Sequence, residues 1–176
     1  MDRALLYNVS SWPQVIREPQ ERQGGMQTWL RLPQQGDTRS REWAQALREQ
    51  HPQDDQLVAA LLSHFNRQPY VYTLRPMPLG TDSIDEFLFD TRSGFCAHYA
   101  GAMTFVLRAA GIPSRVVAGY QGGELSGNGS YVQVRQFDAH AWVEYWQPEK
   151  GWTSVDPTFQ VAPERIEQGL RIRGAE

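Results

Sequence analysis

Apolar residues recur mostly at helical spacing between residues 40 and 110, and mostly at strand spacing from residue 115 onward. Trp43, Ala46 and Leu47 predict a first helix, capped by Ser40 or Thr38. His51-Pro52 interrupts it, because the residue before a proline is pushed out of the helical region. Asp54 and Asp55 suit the first turn of a second helix, where carboxylates favour the positive end of the dipole. Its stripe is Leu57, Val58, Leu61, Leu62 and Phe65. Residues 70–74 read as a short strand, ended by Pro76 and Pro78. Residues 83–88 predict one helical turn, with Ser83 as cap and Glu86 three residues later. A helix over about residues 96–110 follows, with Tyr99, Met103, Val106, Leu107 and Ala110 on one buried face. Gly111 stands where a C-terminal cap belongs and Pro113 follows. The small residues Ala97, Ala100, Gly101 and Ala102 allow close approach, which marks this as a central helix.

Strand patterns then cover residues 115–121, 131–134, 140–146 and 152–156, with a Gly/Ser/Asn loop at 122–130. Residues 1–36 show no clear period, except that 26–32 read as a strand stopped by Pro33. Helices first, then a mostly antiparallel sheet, is the α+β class.

At 176 residues and 40% hydrophobic content the chain is expected to form one domain with a real core. The net charge of −3 and the lack of a basic patch argue against a nucleic-acid partner. No apolar run approaches the roughly 20 residues of a membrane helix. Met1-Asp2-Arg3 does not begin a signal peptide, so the chain as given is expected to be soluble, although it could be cut from a larger anchored protein. A single cysteine excludes an intrachain disulfide.

That cysteine is surrounded by parts a nucleophile needs. Cys96 stands where a polar, Gly-containing turn, residues 91–95, enters the central helix. Unpaired N–H groups and the dipole at a helix N-terminus stabilise a thiolate, and the N–H of Cys96 offers a donor to a developing oxyanion. His140 opens one strand pattern and Asp156 closes the next. The midpoint of the two is Pro148, inside a turn-like stretch, so a hairpin around it puts His140 and Asp156 on or near one rung. Directly opposed side chains lie roughly 4.5–5.5 Å apart at Cβ, and a one-residue slip would separate them onto opposite faces. A thiol needs a base, and the base needs a partner to hold its tautomer.

Plainer readings compete. Cys96 is also compatible with a small core residue, His140 with a structural strand histidine, and Asp156 with an Asp-Pro turn. Asp138 and Glu144 compete for the acidic role, although both lie along the His140 strand pattern rather than across from it. Cys96 and His98 would point to nearly opposite sides of a helix, so a metal chelate is not expected. His98 and Arg92 read as entrance or packing residues. Trp142, Trp146 and Trp152 are available as cleft walls, with Trp142 foremost.

Four blocks carry a resemblance: Gly94-Phe95-Cys96-Ala97-His98-Tyr99-Ala100, the run from Arg108 to Tyr120, Asp138-Ala139-His140-Ala141-Trp142-Val143-Glu144, and Gly151-Trp152-Thr153-Ser154-Val155-Asp156-Pro157-Thr158. Together they resemble the transglutaminase-like superfamily over residues ~40–165. Asp85-Glu86-Phe87-Leu88-Phe89 and Cys96-Ala97-His98-Tyr99 look most like its bacterial membrane-anchored branch, the TgpA type. The resemblance implies a papain-like α+β core, with residues 1–39 a peripheral segment and 40–165 the catalytic core. It implies Cys96 as nucleophile, His140 as base and Asp156 as its orienter. It also implies a periplasmic domain of a bacterial inner-membrane protein. The second oxyanion donor of the family has no clear match, and Tyr70 and Tyr72 are the candidates. No cofactor or metal is implied, calcium included.

The function so implied is a cysteine acyltransferase with a thioester intermediate. Its expected partners are a protein or peptide glutamine donor and an amine acceptor. A papain-type cysteine peptidase or amidase would use the same triad, and a non-catalytic binding scaffold is the reading from a different class.

Overall fold

A computed structural model describes residues 6–18, 20 and 25–164. The two amphipathic stripes form helices α1 (Thr38–Gln50) and α2 (Asp54–Arg67). α1 ends where His51 leaves the helical region ahead of Pro52. Asp54 and Asp55 open α2, whose buried side is Leu57, Val58, Leu61 and Phe65. The strand expected at 70–74 is shorter: β1 (Val71–Tyr72) pairs in parallel with β2 (Ser93–Gly94) and no further. Between them α3 (Ser83–Asp85) runs into a wider π-type turn, Glu86–Thr91.

The caps differ from the sequence expectation. Neither Thr38 nor Ser40 caps α1; Asp37 precedes it in a left-handed conformation (φ 51). The N–H groups of Arg39 and Ser40 donate instead to the carboxylate of Asp85, at 3.0 and 2.7 Å. Asp37 Oδ1 in turn accepts the N–H groups of Ile84 and Asp85, at 2.9 and 3.0 Å. Ser83 therefore lies inside its turn rather than capping it, and Glu86 accepts from the N–H of Gly80 at 2.8 Å. Carboxylates near in space have replaced hydroxyls near in sequence.

Helix α4 (Cys96–Ala109) buries Tyr99, Ala100, Met103, Val106 and Leu107. Gly111, at φ 83, closes it: the Gly111 N–H donates to Arg108 O (3.0 Å) and the Ile112 N–H to Leu107 O (2.8 Å). This is the Schellman pattern, which needs a left-handed residue. Five strands follow: β3 (Ser114–Tyr120), β4 (Glu124–Leu125), β5 (Val132–Gln133), β6 (Ala139–Gln147) and β7 (Gly151–Val155). β3, β6 and β7 make an antiparallel sheet in that order. The stretch read as loop contributes β4, which pairs with β5 as a separate ribbon, and the strand expected at 131–134 shrinks to β5.

Ala141, Val143 and Tyr145 of β6 join Tyr99, Met103 and Leu107 of α4 and the α2 stripe in one core. Each fully buried large apolar side chain contributes about 1.5–3 kcal/mol. Alternation along β6 turns Trp142, Glu144 and Trp146 to the other side. There Trp146 and Trp152 form a second cluster with Met26, and Trp29 packs against it. The strand expected at 26–32 is a 3₁₀ turn, Met26–Leu30. Three residues per turn put Met26 and Trp29 on one side, and Trp29 meets the edge of Trp152 at 5.5 Å. Arg17 fastens the segment before it. Its carbonyl accepts the N–H of Trp152 (2.9 Å), and its guanidinium reaches Glu144 and the Trp152 carbonyl. The segment expected to be peripheral thus straps the outer face of the sheet. The outer limits of the expected domain, residues 1 and 176, lie outside the described residues.

Candidate active site

Cys96 is the first residue of α4 and is 9% exposed. Phe95 before it is extended, which ends β2 and begins the helix. The Phe95 carbonyl accepts the N–H of His98 (2.8 Å), and His98 Nδ1 accepts the N–H of Phe95 (3.3 Å). Burial lowers the pKa of His98, which suits a neutral ring accepting through Nδ1. That ring lies so close to Gly94 that a Cβ there would sit 2.7 Å from His98 Cγ. A side chain at position 94 would therefore displace the helix start that carries the thiol.

β6 brings in His140, 7% exposed. Its Nε2 lies 2.6 Å from Asp156 Oδ2. Nδ1 is then the nitrogen left for Cys96, whose thiol is close enough to the imidazole for each group to shift the pKa of the other. Burial works against charge on both groups, and the contacts outweigh it. For Cys96, burial raises the pKa, but the bond to His140, the N–H groups of Ala141 and Ala97 and the charge on His140 bring it below the usual thiol value. For His140, burial lowers the pKa, but the bonds to Asp156 and Cys96 and their charges carry it up to about 9. Both shifts favour a thiolate–imidazolium pair over the neutral pair.

Asp156 follows the last residue of β7. The ladder runs from Gln147↔Gly151 to Val143↔Val155, so the hairpin is centred on Glu149 (φ 66), not on Pro148. The expected rung is off by two residues. Continued along the same register, Thr158 would face His140 directly and Asp156 is its diagonal neighbour. A slip of two keeps the face where a slip of one would lose it. Asp156 also caps the 3₁₀ turn Pro157–Gln160: Oδ1 accepts the N–H of Thr158 at 2.9 Å. Asp156 is thus both the Asp-Pro turn residue and the partner of His140.

The other candidates are placed elsewhere. Asp138 Oδ2 accepts the N–H of Arg135 at 2.8 Å and closes its own turn, Gln136–Asp138. Glu144 is taken up by Arg17, Arg115 and Ser154; burial raises its pKa, but the two guanidinium groups hold it below the usual carboxylate range. Tyr70 is corrected as an oxyanion donor. Its hydroxyl is buried, donates to Leu88 O (2.9 Å), lies 3.1 Å from His64 Nε2 and has its pKa raised by burial. Tyr72 pairs with Gly94 and stacks on Tyr99 at 6.5 Å.

Trp142 lies nearly parallel to the His140 ring, 6.3 Å away. With Tyr120, Gln121, His140 and Asp156 it lines a cleft of about 280 Å³. Gly119, paired with His140, makes the room: a Cβ there would stand 2.9 Å from Trp142 Cη2. Trp146 and Trp152, expected as cleft walls, are not there. They pair on one rung under the N-terminal strap, and their indole N–H groups donate to Glu18 at 2.7 and 3.1 Å. The sequence reading missed Thr158, Gly119 and the N–H of Ala141. Asp156-Pro157-Thr158 carried a readable signal for the first, since Asp at N-cap and Pro at N1 is a capping signature. Among the described residues, no helix is long and apolar enough to cross a membrane.

A model of the transglutaminase-like superfamily matches residues 41–157. A protein-glutamine gamma-glutamyltransferase of Pseudomonas aeruginosa is 64% identical over 170 residues, covering 97% of this chain and 25% of that protein. YebA of Bacillus subtilis is 33% identical over 150 residues, covering 81% of this chain and 20% of that protein. The crystal structure of the periplasmic domain of TgpA from Pseudomonas aeruginosa matches with a TM-score of 0.88 at 66% identity, covering 91% of this chain and 56% of that one. The chain therefore spans a quarter or less of the length of these two curated relatives.

Proposed function

The chain belongs to the transglutaminase-like superfamily and has its papain-like α+β fold, and from that premise we propose that it is a cysteine acyltransferase using Cys96, His140 and Asp156. The observation that carries the reading is the placing of the Cys96 thiol, at a helix N-terminus, and of the Asp156 carboxylate, 2.6 Å from Nε2, where both act on the His140 imidazole. The thiolate attacks the carbonyl carbon of a glutamine carboxamide, and the N–H of Cys96 donates to the oxyanion. The C–N bond breaks as His140 gives its proton to the leaving nitrogen, ammonia departs, and a thioester remains. A primary amine then attacks that carbonyl, His140 takes a proton from its nitrogen, and the C–S bond breaks to restore the thiolate. Asp156 holds the imidazole throughout. The cleft beside Trp142 keeps water from the thioester.

Residues 40–165 make the catalytic core in this reading, with residues 1–39 as an accessory segment. The likeness to the periplasmic domain of TgpA supports a periplasmic location for this chain, as part of a longer membrane-anchored protein. The test is incorporation of a lysine-like amine at millimolar concentration into a glutamine-containing protein, with ammonia release measured in parallel. Equal ammonia and incorporated amine, both absent in Cys96→Ala, is the expected result. Backbone cleavage without incorporation would assign a peptidase instead, and neither activity over a broad donor panel would assign a binding scaffold.

A further inference from the structure

Strand β3 has one side of its backbone unused. The Gln121 N–H donates to Asp138 O and the Trp146 N–H to Pro113 O, both at 2.8 Å and both in line with the β3–β6 register. In an antiparallel pair every second residue turns its N–H and C=O to the partner strand. Residues 115, 117 and 119 therefore face β6, and Ser114, Val116, Ala118 and Tyr120 face away from it. The Ser114 carbonyl agrees with this, since it accepts from Arg108 Nε at 2.9 Å. The N-terminal segment wraps the start of the edge, with Trp29 against Arg115 on one face and Arg31, Leu32 and Pro33 beside Val116 on the other. Beyond Val116 the edge is open. Ala118 and Tyr120 are exposed, and among the described residues their outward N–H and C=O groups have no hydrogen-bond partner. Exposed edges are commonly blunted by a lysine, a proline or a bulge. Val116, Ala118 and Tyr120 supply none of these. The open end is also the end that meets the cleft: Gly119 is the rung partner of His140, and Tyr120 and Gln121 line the cleft with Trp142, His140 and Asp156.

We propose that this edge seats the acyl acceptor, as an extended polypeptide segment that adds antiparallel to β3 and sends a lysine side chain into the cleft. This rests on the reading of Cys96 as the acylated nucleophile and specifies its second substrate. The added strand lies about 4.8 Å outside β3, and its residue across from Gly119 shares the face of His140 and Trp142. That residue turns its own N–H and C=O to solvent, while its two neighbours bond to Ala118 and Tyr120. A lysine there lays its methylenes along the Trp142 and Tyr120 rings and carries its nitrogen toward His140. Charge favours it at the right step. Once the thioester has formed, His140 has given its proton to ammonia, and the Asp156 carboxylate, 21% exposed, is the charge left lining the cleft. A lysine ammonium suits that cleft, and a neutral glutamine gains nothing from it. The nitrogen, as the neutral amine, forms the isopeptide C–N bond as the C–S bond breaks, and its proton passes to His140. A second copy of this chain is a poor occupant, because so short an edge cannot supply the roughly 800 Å² per partner of a stable interface.

The experiment measures amine incorporation with a small donor, benzyloxycarbonyl-glutaminyl-glycine, at a fixed saturating concentration. The acceptors are the pentapeptide acetyl-Val-Thr-Lys-Thr-Val-amide and the single residue Nα-acetyl-lysine methylamide. The pentapeptide is expected to have a KM lower by about tenfold or more, from its added backbone hydrogen bonds. N-methylation of both threonines, whose N–H groups face β3, is expected to remove that advantage. N-methylation of the lysine, whose N–H faces solvent, is expected to leave it. Ala118→Pro deletes an outward N–H and no bond of the β3–β6 ladder, the one place where a strand tolerates proline. Its thermal midpoint is expected to stay near that of its parent, and the pentapeptide advantage to shrink to about threefold or less. Equal KM values for the two acceptors, or equal losses on methylating lysine and threonine, overturn the edge and keep the transferase. Incorporation of neither acceptor removes the transferase. Anisotropy of a fluorescein-labelled pentapeptide with Cys96→Ala then tests the edge alone: binding weakened by Ala118→Pro keeps it as a polypeptide site, and unchanged or undetectable binding removes it. If Ala118→Pro instead raises the KM of a glutamine pentapeptide, the edge belongs to the donor. If it dissociates a dimer seen in sedimentation, the edge belongs to a second copy. Either result overturns the acceptor.

Discussion

Asp156 lies diagonally across the hairpin from His140, with Oδ2 on the imidazole and Oδ1 on the N–H of Thr158. Both oxygens are in use, and asparagine has only one. Asp156→Asn must therefore give up either the cap or the acceptor for His140 Nε2. Turnover is expected to fall about 10³–10⁴-fold, as when a triad loses its tautomer-fixing carboxylate. The far-ultraviolet spectrum should stay that of the parent. Asp138→Asn, whose carboxylate closes a separate turn, should leave turnover near wild type. A larger loss in Asp138→Asn than in Asp156→Asn would move the acidic role to Asp138.

The pH dependence has a definite sign. His140 has its pKa raised to about 9, so its charged form stabilises the fold fully below the ordinary histidine value and that contribution is lost as pH rises through about 9. Cys96 has its pKa lowered, so its thiolate contributes at high pH and that contribution is lost as pH falls through the lowered value. Between the two limits the ion pair persists. Alkylation of native Cys96 by iodoacetamide near pH 7 should therefore outpace that of a small thiol of ordinary pKa, about 8.5. His140→Ala should slow it toward the small-thiol rate. Labelling only after denaturation would remove the activated nucleophile.

Gly119→Ala tests the wall of the cleft. A methyl group would stand 2.9 Å from Trp142 Cη2, and a rigid ring cannot yield by bending. The indole must swing away from the space beside His140. The amine KM is expected to rise and the ratio of ammonia released to amine incorporated to exceed one, because water then reaches the thioester. The alkylation rate of Cys96 should not change, since Gly119 faces His140 only as its neighbour on the backbone ladder and the added methyl group would meet Trp142 alone within 4 Å. A ratio that stays at one would show that Trp142 does not guard the intermediate.

Gly151→Ala tests the strap. Gly151 has φ 69, and a Cβ there would be 2.0 Å from Arg17 O. Strain and collision act together, and a loss of about 2–4 kcal/mol of unfolding free energy is expected. Detachment of Arg17 and Glu18 would also free the indole N–H groups of Trp146 and Trp152. A red shift of tryptophan emission in the folded variant is the accompanying signal.

The helices were legible because their stripes are long and their punctuation is strong: Pro52 before α2, Gly111 after α4. The positions of Cys96, His140 and Asp156 at element ends were legible for the same reason. What local pattern could not supply was the hairpin register. The turn-like stretch at 147–151 leaves its centre open, and the left-handed Glu149 moved it by one residue and the rung by two. Nor could pattern predict that Met26 and Trp29 form a turn, because their period is set by the Trp146–Trp152 rung they cover. The Trp residues themselves show the limit well: residue type marks all three as wall material, but only the strap decides which of them remains beside the cleft.

Asp37 and Asp85 each hold the start of the other's helix, across 48 residues of chain. During synthesis α1 leaves the ribosome long before Asp85 does. Until then the N–H groups of Arg39 and Ser40 have only water, and the first turn of α1 is frayed. The helix nearest the N-terminus is thus completed late, when α3 arrives. A break of the chain anywhere between the two, at the exposed Met77 for example, would leave both fragments with an uncapped helix and a buried carboxylate facing nothing. The first half of the sequence is not a fragment that can wait, finished, for the second.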